Sequence, residues 1–316
     1  MFHRAIPFGL LVAIALVAGC SGDEAGEATT TTAAAAGAST TTTIRVETAS
    51  GDSASPYVDS YVLMNETYGT EVVVTVEGGV RTIESNGLPD HETGQFPNAG
   101  NPNSISAQSY SYTFPAQPNA ATMPTPYNVP QPFGIAVNGV VLDPFAAEWY
   151  QNDRDSGWQL AALANPLGFD DNNAHVQPTG AYHYHGAPTA LLTTSEFPEL
   201  IGFAGDGFPI YGPYGYNDPA DPTSGVRELV SSYRLKRGER PDGPGGAYDG
   251  TYVEDYEYVE GYGDLDECNG REGVTPEWTG GTGTYYYIAT LDWPFLGRCF
   301  VGTIADSFEL SGPSGR

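Results

Sequence analysis

Positive charge is scarce in this 316-residue chain: 12 Lys+Arg stand against 39 Asp+Glu, for a formal net charge of −27. A surface that binds nucleic acid by neutralising phosphates is thereby excluded. Lys236 is the one lysine and charged residues make up only 16% of the chain, so ion-pair networks do not dominate stability. Cysteine is also scarce, with three residues and no CxxC spacing, which disfavours a thiolate metal site or a cysteine nucleophile. No apolar run reaches the roughly 20 residues of a bilayer span. There is no GxSxG elbow, Walker A loop, HExxH helix or post-strand GxGxxG, so the chemistries those motifs carry are set aside.

Glycine, proline and aromatics are plentiful: 40 Gly and 25 Pro interrupt the chain too often for a helical bundle, while 21 Tyr and 13 Phe supply a core. Alternating β-branched and aromatic segments, such as Tyr57 to Leu63, Val72 to Val76, Ser109 to Phe114 and Tyr285 to Thr290, read as strands. Stretches like Phe96 to Asn103 between them hold turn formers. The expected fold is mainly β, a single loop-rich antiparallel domain resembling a sandwich, with a few short helices. Asp143-Pro144 looks like an N-cap followed by Pro at the first helical position, opening a helix toward Tyr150, and Trp158 to Ala164 adds two turns.

The N-terminus points to export. Arg4 precedes an apolar run from Phe8 to Ala18, which ends in Val17-Ala18-Gly19-Cys20 and resembles a lipoprotein signal. Residues 1–19 are then the signal, with Cys20 acylated and the protein held at a membrane facing the periplasm or the cell exterior. Residues 20–55 are so poor in large apolar side chains that they read as a disordered tether, leaving 56–311 as the folded domain. The two remaining cysteines, Cys268 and Cys299, are expected to form a disulfide in that oxidising compartment. Closing such a loop is worth roughly 3–4 kcal/mol on the chain-entropy model.

Three of the five histidines, His175, His183 and His185, fall inside eleven residues. In a strand, His183 and His185 share one face while Tyr182 and Tyr184 take the other. A three-residue loop, Pro178-Thr179-Gly180, would pair Gln177 with Ala181 and His175 with His183, gathering three imidazoles on one patch. A two-residue turn would send His175 to the opposite face, so register decides.

These residues, with Gly202 to Gly212 after them and further matches at Ser85 to His91, Gly134 to Val140, Tyr248 to Thr251 and Gly263 to Gly270, resemble the bacterial YHYH-domain family over about residues 80–308. The resemblance implies export and a shared architecture and supplies no reaction.

Neutral imidazoles without cysteine suit Cu or Zn, so His175, His183 and His185 form a candidate transition-metal site, with His91 as a fourth ligand and Asp206 as ligand, orienting acceptor or general base. The same histidines can instead be interior residues bonded to backbone carbonyls or tyrosines. Asp170-Asp171-Asn172-Asn173 and Asp264 to Gly270 hint at calcium loops but lack EF-hand spacing. Three functional classes stay open: a metalloenzyme, oxidative or hydrolytic, acting on a small molecule or glycan; a non-catalytic surface module binding a glycan or another partner; and a surface scaffold with no ligand.

Overall fold

The computed structural model describes residues 42–45, 55–128, 131–281 and 283–309. The signal segment 1–19 and Cys20 lie outside the described residues. The fold is mainly β, built from antiparallel sheets with local parallel pairing, and its helical content among the described residues is six three-residue 3-10 turns. None is long and apolar enough to cross a membrane.

Five strands form an antiparallel meander in sequence order: Thr42–Arg45, Tyr61–Asn65, Thr70–Glu77, Val80–Ser85 and Tyr110–Pro115. Residues 42–45, expected within the tether, thus pair with Tyr61–Asn65. The meander alternates buried and exposed positions along its strands, as a sheet with one wet face must.

An eight-stranded sheet lies at the centre, in the spatial order Gly270–Gly273, Thr284–Ile288, Pro209–Tyr211, Leu200–Ala204, Gly134–Ala136, Val141–Leu142, Tyr182–Tyr184 and Ala174–Val176. Two of its junctions are parallel, Pro209–Tyr211 with Thr284–Ile288 and Val141–Leu142 with Tyr182–Tyr184. Its inner strands Pro209–Tyr211, Leu200–Ala204, Gly134–Ala136, Val141–Leu142 and Tyr182–Tyr184 are buried on both faces. Ile135, Tyr286 and Ile288 pack with Leu63, Val72 and Ile83 of the meander in one core. Ala136, Tyr285 and Tyr287 point the other way, into a core closed by Tyr127, Phe133, Phe145 and Phe300. This two-layer packing is the sandwich that the alternating segments imply. Cys268 and Cys299 are joined, tying the turn before Gly270–Gly273 to the strand Cys299–Gly302.

The helix expected from Asp143 does not form. The Asp143 amide instead donates to Tyr184 O at 2.8 Å, continuing the parallel ladder, so the residue is held extended rather than as a helix cap. Phe145 and Ala146 are buried in the core that follows. Of the stretch Trp158 to Ala164 only Ala162–Ala164 makes a 3-10 turn. Gln159 and Leu160 are drawn into bridges with Trp149 and Tyr252, and this tertiary pairing overrides the local preference. Tyr57 lies in the turn Pro56–Val58, capped by Ser55, rather than in a strand.

Candidate metal centre

The site is built on a hairpin at the edge of the large sheet. Ala174–Val176 pairs antiparallel with Tyr182–Tyr184 in the register that sets His175 opposite His183. The three-residue loop makes this register: Gln177 N donates to Ala181 O at 2.9 Å and Gly180 N to Gln177 O at 2.8 Å. Gly180 has φ +87°, and a Cβ there would come within 1.9 Å of Ser106 Oγ, so both the turn and the packing require glycine. His185 follows two residues after His183 on the same face, its amide donating to Asn173 O at 2.8 Å.

The three imidazoles converge. Ring centroids are 4.6–4.8 Å apart, and one ligating nitrogen from each lies within 4.8 Å of the others. His185 Nε2 sits 3.1 Å from His175 Nε2 and 2.8 Å from His183 Nε2. The backbone fixes two tautomers. His175 Nδ1 faces Leu167 O at 2.9 Å and His183 Nδ1 faces Ala181 O at 3.2 Å. A carbonyl only accepts, so each Nδ1 carries the proton and each Nε2 turns a lone pair toward His185. One proton on His185 Nε2 can bridge to only one of them at a time, and His185 Nδ1 is buried without a partner among the described residues. A cation among the three Nε2 atoms satisfies all of them, and the donor set fits Cu or Zn.

Burial keeps the cluster neutral. It lowers the pKa of His183 to about 3, with the neighbouring His175 adding to the effect, and pushes His185 well below the ordinary value, with His183 and His175 adding. His175 is lowered as well, chiefly by burial, against the bond to Leu167. Phe169 stacks on His175 at 4.5 Å and meets His185 edge-on.

The histidines open into a cavity of about 720 Å³ whose wall includes Asp143, Glu148, Trp149 and Arg154. Asp143 is the residue whose sequence context suggests a helix cap. Continuing the parallel register by one residue beyond Leu142 and Tyr184 sets it beside His185. Burial raises its pKa to about 7, against the lowering effect of the Tyr127 hydrogen bond. Tyr127 Oη donates toward Gln131 O at 2.5 Å and Asp143 Oδ1 at 2.9 Å.

His91 and Asp206 are not part of this cluster. His91 lies on the tyrosine face, its Nδ1 on Glu92 O at 2.9 Å and its Nε2 on Tyr184 Oη at 2.6 Å. Asp206 occupies the tight turn between Leu200–Ala204 and Pro209–Tyr211, fully buried. It accepts from Tyr287 Oη at 2.6 Å, Gly302 N at 2.9 Å and Phe208 N at 3.3 Å, a structural clamp whose partners do not line the histidine cavity. The acidic loops are local scaffolding too. Asp170 accepts from Asn172 N, Ala174 N, Gly94 N and Tyr182 Oη. Asp264 pairs with Arg227, and Asp266 accepts from Cys268 N, Gly270 N and Tyr285 Oη.

The YHYH protein family matches residues 111–302. That is more than half of the chain, and the chain belongs to this family. Comparison with curated proteins finds no match, and comparison with solved structures finds none.

Proposed function

We propose that this YHYH-family member is an exported, lipid-anchored metalloprotein in which His175, His183 and His185 hold one Cu or Zn ion at the inner end of the cavity. The observation that carries the reading is the convergence of three Nε2 atoms, two of them with backbone-fixed tautomers, in a pocket that keeps imidazole neutral. Three protein ligands with solvent access on one side is the ligand count of a catalytic centre. Such an ion supplies Lewis-acid chemistry if Zn and redox chemistry if Cu. Asp143, on the same cavity wall, offers a carboxyl poised to hold or release a proton near neutral pH. His175 and His183 are oriented by Leu167 and Ala181, as ligating histidines are when their second nitrogen is bonded.

The lipid anchor rests on the Val17-Ala18-Gly19-Cys20 sequence after its apolar run. The test of the metal reading is elemental analysis of the purified protein, followed by titration with Cu(II) and Zn(II) of the parent and of His183→Ala. Stoichiometric metal in the parent and its loss in a folded His183→Ala protein are expected. Equal binding by both ends the proposal. For the anchor, Cys20→Ser should leave an unprocessed precursor or release the protein from the membrane, and unchanged fractionation refutes it.

A further inference from the structure

A second cavity, of about 600 Å³, is formed by the Ser55 to Tyr57 turn, Val137 just past the strand Gly134–Ala136, Leu200 of the large sheet, and the loops around 190–199 and 276–277. It is separate from the histidine cavity and shares no lining residue with it. Aromatic surface comes from Tyr57, Phe197 and Tyr216, with Phe197 48% exposed although large and apolar. The charged groups in the lining are Asp90, Glu199 and Glu277, and no Lys, Arg or His accompanies them among the described residues.

The hydrogen-bond partners of these carboxylates are neutral. Asp90 accepts from Asn138 Nδ2 at 2.9 Å, Glu199 from Thr193 N at 2.7 Å, and Glu277 from the Tyr211 hydroxyl. The carboxylates act on the aromatic wall, where burial first, then Asp90 and Glu199, raise the pKa of Tyr57, and burial and then Glu277 raise that of Tyr216; burial also raises the pKa of Glu277 itself, against the Tyr211 hydrogen bond. The carboxylates do not converge as metal ligands do, since the histidine triad is the group of ligating side chains that comes within binding distance among the described residues. Dispersed negative charge over aromatic and aliphatic walls matches a bulky, weakly hydrated cation better than a compact ion.

We propose that this cavity binds a small organic ammonium ion, its alkyl part against Tyr57, Phe197 and Tyr216 and its charge shared among Asp90, Glu199 and Glu277. The probe is choline, set against 3,3-dimethylbutan-1-ol, which has the same shape without the charge. Calorimetric or NMR titration of the purified protein should show choline binding at least about tenfold more tightly than the neutral isostere, and weakening as salt rises. Glu277→Gln should reduce choline affinity about tenfold and leave the weak binding of the alcohol unchanged. Phe197→Ala, at an exposed position where folding is not at stake, should weaken both probes. His183→Ala should bind choline as the parent does, which separates this site from the metal. Failure of choline to bind the parent, or equal affinity for choline and the alcohol, overturns the proposal.

Discussion

The strand Tyr182–Tyr184 presents two faces with opposite chemistry. On one, His183 and His185 meet His175 with nitrogen lone pairs directed at one another and a cavity beyond them. On the other, each tyrosine hydroxyl is engaged: Tyr182 donates to Asp170 at 2.7 Å, and Tyr184 accepts from Asn138 at 2.8 Å and donates to His91 at 2.6 Å. Both faces are buried, so exposure does not separate scaffold from site. What separates them is hydrogen-bond balance. The tyrosine face is saturated, whereas the histidine face has more acceptors than protons and an orphaned His185 Nδ1.

The contrast between the faces is broken most severely by removing a ligand. His183→Ala should reduce Cu(II) or Zn(II) affinity on the order of a thousandfold, because one of three ligands is lost. Its circular dichroism should remain that of a folded β protein. Metal affinity within a factor of a few of the parent would place the histidines with the tyrosines, as structure alone.

The next effect is in pH. Asp143 titrates near 7 in the folded protein against an ordinary 3.8. Between those values the native state binds more protons than the unfolded chain, so this group's contribution to stability falls as pH rises from about 4 to 7. The uncharged amide introduced by Asp143→Asn keeps an acceptor oxygen for Tyr127 and lacks that dependence. Measured with chelator present, Asp143→Asn should gain stability over the parent on the order of 3 kcal/mol between pH 4 and 8. Parallel stability curves for the two proteins would show that Asp143 is not held protonated.

Tyr184→Phe probes the closed face. It strips the partner from His91 and Asn138, costing about 1–2 kcal/mol in denaturant unfolding, while metal affinity changes less than about threefold. A larger loss of metal than of stability would mean that the two faces act as one unit. A smaller contrast comes from competition: the same three imidazoles should prefer Cu(II) to Zn(II), following the general affinity order for nitrogen ligands. Zinc displacing copper at equal concentrations would point to a geometry imposed by the protein.

The histidine face was legible in the sequence because it depends on local rules. The period of two places His183 with His185, and the Pro178-Thr179-Gly180 loop sets the hairpin register that brings His175 across. The disulfide was legible from parity among so few cysteines. Asp143 was missed because its role comes from a parallel ladder with a strand some forty residues away, while Asp143-Pro144 carries a strong local helix signal. His91 and Asp206 are candidates for the metal site by residue type alone, beside the equally available readings of a loop histidine and an Asp-Gly turn. Loop and turn positions have no period from which a face can be read, and the fold turns His91 to the tyrosine side and buries Asp206 against Tyr287.

The central claim is that three imidazole nitrogens share one cation. Crystals of the protein soaked in Zn(II) or Cu(II) and measured across the metal's absorption edge test it directly. The account predicts one strong anomalous peak about 2.0–2.1 Å from Nε2 of His175, His183 and His185. An empty triad in metal-soaked crystals, or a peak elsewhere with His185 hydrogen-bonded only to its neighbours, would contradict it.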